Sequence, residues 1–197
     1  SSTSRGLGDV YKRQALASDH IPLSEISETV NVSYLNKKID EFNLALKFDF
    51  DISNPKIAIL GLNPHAGDGG KIGLEEKNTI IPCIQLKRKE GIIAHGPFPS
   101  DSFFGKKLYL QFDGVLAIYH DQGLIPFKML YFEKGVNNTC GLPFIRTSPD
   151  HGVAFDIAGQ NLADETSFRE SIFDAIKRTK ARQEYTCLLY TSRAHET

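Results

Sequence analysis

The sequence has no basic block, no apolar run of membrane length and few cysteines, and each absence removes a class of function. Its 23 lysines and arginines are balanced by 24 aspartates and glutamates, for a formal net charge of -1. So even a balance leaves no electrostatic footprint for nucleic acid or an anionic membrane, and neither is expected as a partner. No apolar stretch approaches the roughly 18 residues that a membrane-spanning helix needs, and the first residues lack an apolar signal core. Of 3 cysteines, Cys83 and Cys140 stand isolated in apolar surroundings without metal-ligand spacing. That pattern predicts buried free thiols in a reducing compartment rather than a disulfide framework, and a cytoplasmic location is expected from it. No segment matches GxxxxGK[ST] or GxGxxG, which removes the usual phosphate loop and dinucleotide fingerprint.

What is present is ordinary globular composition: 41% hydrophobic and 24% charged over 197 residues, enough for one substantial core or two small ones. The two ends read differently. DVYKRQ (Asp9 to Gln14) back-translates to GAT GTG TAT AAG AGA CAG, and CLLYT (Cys187 to Thr191) to TGT CTC TTA TAC ACA. The second string lies within the reverse complement of the first, extended by one base, and both resemble the transposase end used in sequencing libraries. Residues 1–14 and 187–197 are therefore expected to be non-native tails, leaving 15–186 as the native portion, its true beginning missing. Cys187 and His195 drop out of consideration.

Within 15–186, strands alternate with helices, which argues for a layered α/β fold. Ala15 to Leu23 reads as a strand end running into a loop. From Ser33, Leu35, Ile39, Phe42 and Leu46 fall on one face of a helix. Ile57 to Leu60, short and β-branched between Pro55 and Asn63-Pro64, reads as a buried parallel strand. A helical stretch from Leu74 to Glu90 follows, with Gly91 as its stop and Pro82 either bending it or marking its first turn. Ile92 to His95 and Gly114 to Tyr119 read as further strands, Val136 to Thr147 as two short ones, and Ser167 to Arg182 as a last helix.

His20, His65 and His120 each stand at or just beyond the predicted carboxyl end of a strand. A parallel sheet would bring all three to the edge where ligands bind in open α/β folds. One such histidine is more often a surface or hydrogen-bonded structural residue. Three together suit a divalent catalytic metal with an open position for water or substrate, and imidazole favours Zn²⁺, Co²⁺ or Fe²⁺ over Mg²⁺. His95 has no strand-end run and reads as structural. Beyond His120, in loops or strand ends, Lys128, Asn137 and Arg146 offer a point charge, an amide and a guanidinium fork for a phosphate monoester. A solvated lysine, a turn asparagine and a surface arginine would explain them equally well.

SDHIPL, GLNPHAGDGG, AIYHDQG, GVNNTCGLPFIRTSPDHG and the IAG of Ile157 to Gly159, taken in order, resemble the 4-hydroxythreonine-4-phosphate dehydrogenase family of the pyridoxal phosphate pathway. The resemblance covers nearly all of 15–186. It implies an isocitrate/isopropylmalate dehydrogenase-like fold, α/β/α with a mixed, largely parallel sheet, here one α/β domain plus part of a second and so incomplete. It implies that His20, His65 and His120 bind a divalent metal (Zn, Co or Mg), and that Lys128, Asn137 and Arg146 contact a small phosphorylated amino-acid substrate. It further implies that Asp101 lies near the reacting centre; a helix N-cap in a Ser/Asp turn explains that residue as well. SPDHGVAFDIAG is similar to the loop that holds the adenosine half of NAD or NADP in relatives, which makes His151, Gly152 and Asp156 candidates for cofactor contacts; a short glycine-closed turn is the structural alternative.

The activity implied is oxidation and decarboxylation of 4-phosphooxy-L-threonine to 3-amino-2-oxopropyl phosphate by a homodimer with sites at the subunit interface. Members of the family are nearly twice as long, and a His-Thr pair that contacts substrate lies in the half not present here. The rivals are a paralogous dehydrogenase of a phosphorylated threonate or erythronate, and a non-catalytic metal-binding fragment. The joint presence of Lys128, Asn137 and Arg146 argues against the last, because a structural metal site needs no phosphate clamp.

Overall fold

The hydrophobic runs that read as strands lie side by side. A computed structural model of the protein describes residues 13–131, 135–150 and 155–194. Among them, β1 (Gln14–Leu16), β2 (Lys56–Leu60), β3 (Ile93–Phe98) and β4 (Gly114–Ala117) form one sheet of order β1-β4-β2-β3. Its pairings are all parallel, with Gln14 opposite Val115, Ile57 opposite Gly114 and Lys56 opposite Ile93. Antiparallel pairing is confined to a separate hairpin of β5 (Val136–Asn138) and β6 (Thr147–Pro149).

Because side chains alternate along a strand, each strand feeds two cores. Ala15, Ile57, Ile59 and Leu116 face α2 (Val32–Phe48) and α3 (Ile81–Lys89), packing with Leu35, Ile39, Phe42, Leu46 and Ile84. Leu16, Ala58, Leu60 and Val115 face α4 (Ser100–Gly105) and α5 (His120–Tyr131), packing with Phe103, Leu124 and Phe127. The architecture is thus α/β/α. The periodicity behind α2 is what buries it: Leu35, Ile39 and Leu46 are 0% exposed and Phe42 1%. Asn31 caps its start, its side-chain oxygen accepting from the Tyr34 N–H at 3.0 Å, which satisfies one of the first-turn donors.

The structure refines the sequence reading in three places. The stretch from Leu74 to Glu90 is not one regular helix: a π-type turn, Glu76–Ile80, leads into α3 with Pro82 in its first turn, where the missing N–H costs nothing. The chain after His120 is a helix rather than a loop. Gly123 and Pro126 both argue against one, yet burial of Leu124 and Phe127 outweighs that propensity. Gly123 is also where α5 meets the sheet, since a Cβ there would lie 2.7 Å from Leu16 Cδ2 and 3.0 Å from Ala117 Cβ. The last helix, α6 (Thr166–Ala194), is longer than predicted and packs beside the hairpin, where Thr147 Oγ1 donates to the Ser171 carbonyl at 2.9 Å. Among the described residues no helix is long and apolar enough to cross a membrane.

Candidate active site

Three adjacent strands, β1, β4 and β2, run in the same direction and end at Leu16, Ala117 and Leu60. The segments just past those ends carry His20, His120 and His65, so all three belong to one edge of the sheet. Hydrogen bonds continue beyond the strands: Ser18 donates to the Ile118 carbonyl through its N–H at 3.0 Å and its Oγ at 2.7 Å. That holds the approach to His20 against the approach to His120.

The His20 and His120 rings are 5.6 Å apart between centroids and tilted by 45°. Each has a carboxylate on the same nitrogen: Asp19 Oδ1 lies 2.6 Å from His20 Nδ1, and Asp121 Oδ1 lies 2.7 Å from His120 Nδ1. At His120 the hydrogen bond to Asp121 favours the tautomer that keeps the Nε2 lone pair for coordination, the usual outer arrangement of a metal-ligating histidine, while at His20 the Asp19 carboxylate lies close on the same side of the ring. The donor set thus suits a borderline metal such as Zn²⁺ or Co²⁺. Among the described residues, however, no three His, Cys, Asp or Glu side chains converge closely enough to hold a metal ion.

His65 is exposed and stands on a left-handed turn, Pro64–Gly70. His65, Ala66 and Asp68 have φ of 52°, 50° and 42°, between Gly67 at 78° and Gly69 at 65°. Left-handed geometry costs a side-chain-bearing residue about 1 kcal/mol or more, so something must hold the turn. The holder is Glu76, 3% exposed. Its Oε1 accepts from the N–H groups of Leu62 at 2.8 Å and Asn63 at 2.6 Å, and its Oε2 accepts from Asn63 Nδ2 at 3.0 Å. Hydrogen bonds to a charged group are worth about 1.5–3 kcal/mol each, the scale needed to offset three strained residues. Glu75 takes the other amide contact of Asn63 at 2.7 Å. A hydrogen bond from its own backbone, followed by that of Asn63, holds the Glu75 carboxyl below its usual range.

Gln122 completes the edge. It is buried, and its Oε1 accepts from the Ile118 N–H at 2.6 Å. Its Nε2 donates to the Gly61 carbonyl at 2.5 Å and to Ser100 Oγ at 2.7 Å. Sequence reasoning missed Asp19, Asp121, Glu76 and Gln122. The first two carried a signal, a carboxylate next in sequence to a candidate ligand; the others read as ordinary polar residues.

The remaining predicted residues are spread over several elements. Asp101 is exposed in the first turn of α4, whose N-cap is Pro99 with no side-chain cap bond, so the N-cap reading of Asp101 is excluded. Lys128 is half-buried in the last turn of α5, not in a loop. Asn137 is central in β5, and its buried side-chain oxygen has no hydrogen-bond partner. Arg146 borders the same hairpin, its Nη1 donating to Thr139 Oγ1 at 2.8 Å. His151 and Gly152 lie outside the described residues, and Asp156 falls in a 3-10 turn, Phe155–Ile157. His95 sits within β3, its ring 5.7 Å from that of Phe112, as a structural residue would. A cavity of about 580 Å³ between α2, the 141–143 turn and α6 is lined by Leu44, Phe48, Leu142 and the Asp49–Arg182 ion pair, and by none of the predicted site residues.

Comparison with known proteins identifies the family and the fold. Residues 11–175 match the family model described as Pyridoxal phosphate biosynthetic protein PdxA. The 4-hydroxythreonine-4-phosphate dehydrogenase of Bacteroides thetaiotaomicron is 52% identical over 171 residues, covering 87% of this chain and 47% of that protein. A crystal structure of 4-hydroxythreonine-4-phosphate dehydrogenase from Klebsiella pneumoniae superposes with a TM-score of 0.78 at 36% identity, over 90% of this chain and 54% of the other. A terephthalate 1,2-cis-dihydrodiol dehydrogenase from Burkholderia xenovorans superposes less well, at 0.65 and 28% identity, over 86% of this chain and 52% of the other. The chain spans about half the length of the curated relatives it matches.

Proposed function

The chain belongs to the PdxA family, and from that premise we propose that it forms part of a metal- and NAD(P)-dependent 4-hydroxythreonine-4-phosphate dehydrogenase. The reaction is oxidation of the secondary alcohol of 4-phosphooxy-L-threonine and loss of CO₂ to give 3-amino-2-oxopropyl phosphate, a step toward pyridoxal phosphate. The observation that carries this reading is the His20–His120 pair, each imidazole backed by its own carboxylate, at the ligand-binding edge of a parallel sheet.

His20, His65 and His120 would hold the divalent metal, with the Asp121 carboxylate orienting His120 through its Nδ1 and Asp19 close to Nδ1 of His20. Bound there, the metal supplies Lewis-acid polarisation of the oxygen at the reacting carbon and the dinucleotide supplies the hydride acceptor. Lys128, Asn137 and Arg146 bind the phosphate end and so fix the alcohol carbon in one orientation. Asn137 brings the N–H donors of its amide, and Arg146 brings a guanidinium fork at the hairpin. The Asp101 carboxylate, on the turn that Gln122 anchors through Ser100, takes or returns a proton at the substrate. His151, Gly152 and Asp156 contact the dinucleotide.

We propose further that the working unit is a cytoplasmic homodimer. Phe168, Ile172, Phe173 and Ile176 of α6 are each roughly half exposed, an apolar stripe that suits burial against another surface.

The test is substrate profiling of the full-length protein that carries these residues. NAD(P) reduction should be faster by orders of magnitude with 4-phosphooxy-L-threonine than with phosphorylated threonate or erythronate. The reverse preference would favour the paralogue, and no turnover with any of them would remove the dehydrogenase reading.

A further inference from the structure

We infer that Gln122 and Glu76 are positioning residues that together set where His65 stands relative to His120; the inference rests on the histidine reading above. Between the last residue of β2 and the left-handed turn lie Gly61, Leu62 and Asn63. Side chains from elsewhere hold the peptide groups of that short segment. Gly61 donates its N–H to the Phe98 carbonyl at 2.8 Å and receives Gln122 Nε2 on its own carbonyl at 2.5 Å. Leu62 and Asn63 donate their N–H groups to Glu76 at 2.8 and 2.6 Å. The base of the His65 turn therefore has little freedom to shift.

Gln122 makes this more than local bracing. It lies in the first turn of α5, beside His120, and its Oε1 takes the N–H of Ile118 at the end of β4. One buried amide thus ties the His120 segment to the His65 segment, and its second N–H reaches Ser100 beside Asp101 at 2.7 Å. Both donors and the acceptor are used, so the side chain cannot turn over without breaking three hydrogen bonds. Glutamate at this position keeps the shape and the acceptor for Ile118. It has no hydrogen for the Gly61 carbonyl and sets a negative oxygen against it, which drives the two segments apart. Glutamine in place of Glu76 keeps an acceptor for Leu62 and Asn63 but turns a donor toward the Asn63 amide, a milder disturbance.

Loss of groups that orient metal ligands typically costs on the order of 10- to 100-fold in affinity. The test measures Zn²⁺ affinity by chelator competition, and the visible absorption of the Co²⁺-loaded form, in the full-length protein that carries these residues. Wild type, Gln122→Glu, Glu76→Gln and His65→Ala are compared, with circular dichroism to establish folding. Gln122→Glu is expected to bind Zn²⁺ about 10- to 100-fold more weakly and Glu76→Gln roughly 10-fold more weakly, both with displaced Co²⁺ bands and an unchanged fold. Wild-type affinity and bands in Gln122→Glu, with metal lost in His65→Ala, overturn this inference and leave the histidine reading standing. Wild-type binding in His65→Ala removes that reading and this inference with it. Should Gln122→Glu fail to fold, Glu76→Gln decides alone, and wild-type affinity and bands there overturn the inference.

Discussion

Gly67 and Gly69 occupy the same left-handed turn, and alanine at the two positions is expected to have very different effects. Both have positive φ, 78° and 65°, so either substitution costs about 1 kcal/mol for the backbone conformation alone. At Gly69 the added Cβ meets nothing within 4 Å, and the cost ends there. At Gly67 it would stand 2.6 Å from Glu76 Oε2 and 3.5 Å from the Gly73 carbonyl oxygen. Glu76 cannot swing aside without loosening its hydrogen bonds from Leu62 and Asn63, and loss of one such bond costs about 1.5–3 kcal/mol. Gly67→Ala should therefore destabilise by about 2.5–4 kcal/mol and Gly69→Ala by about 1. Urea denaturation reads the difference as a shift in midpoint at constant m-value. If the two variants fall within about 0.5 kcal/mol of each other, which is ordinary surface scatter, Glu76 is not the fixed post that the geometry describes.

His65→Ala in the full-length protein should lose divalent metal and turnover together, as read by metal analysis and NAD(P) reduction; stoichiometric zinc in the triple replacement of His20, His65 and His120 would sink the ligand assignment. Arg146→Ala should raise KM for the phosphorylated substrate by about 1.5–3 kcal/mol of lost charged hydrogen bonding, and an unchanged KM in a folded variant removes Arg146 from the site. Burial pushes the Cys83 thiol up from 9.0 to about 11, with Lys87 opposing weakly. Because the folded value is raised, that contribution to stability is complete below about pH 9 and is lost as pH rises to about 11. Cys83→Ala should accordingly show a shallower loss of stability than wild type across that window, and identical slopes would refute the burial argument.

The parts legible in the sequence are those where hydrophobicity alone decides. The repeat of Leu35, Ile39, Phe42 and Leu46 located α2 and its buried face, and the β-branched run before Gly61 located β2. The strand-end positions of the histidines followed from the same pattern once the strands were taken as parallel. What was hidden depends on groups whose meaning is set by distant partners. Nothing in EEKNTI says that Glu76 is buried under Asn63 while Glu75 stays at the edge. Nothing in HDQG says that Gln122 reaches across to Gly61. The same holds for α5, where Gly123 and Pro126 send a local reading toward a loop and only Leu124 and Phe127 in the second core reverse it. The cap alternative for Asp101 falls because Pro99, not a serine or aspartate, occupies the capping position.

The strand order carries a consequence for how the protein is made. The central strand β4 is translated last of the four, and among the described residues β1 pairs with it alone. Ser18 and its partner Ile118 are 100 residues apart, a long-range closure that slows folding. On the ribosome, β2 and β3 can join early, but β1 waits, and the flank of β2 reserved for β4 stays open to a wrong strand. A nascent chain released before β4 emerges has His20 and no His120 to set beside it. Pairing of these two rings therefore waits on completion of the four-stranded sheet, and a chain that stops short of it is left for the chaperone or the protease.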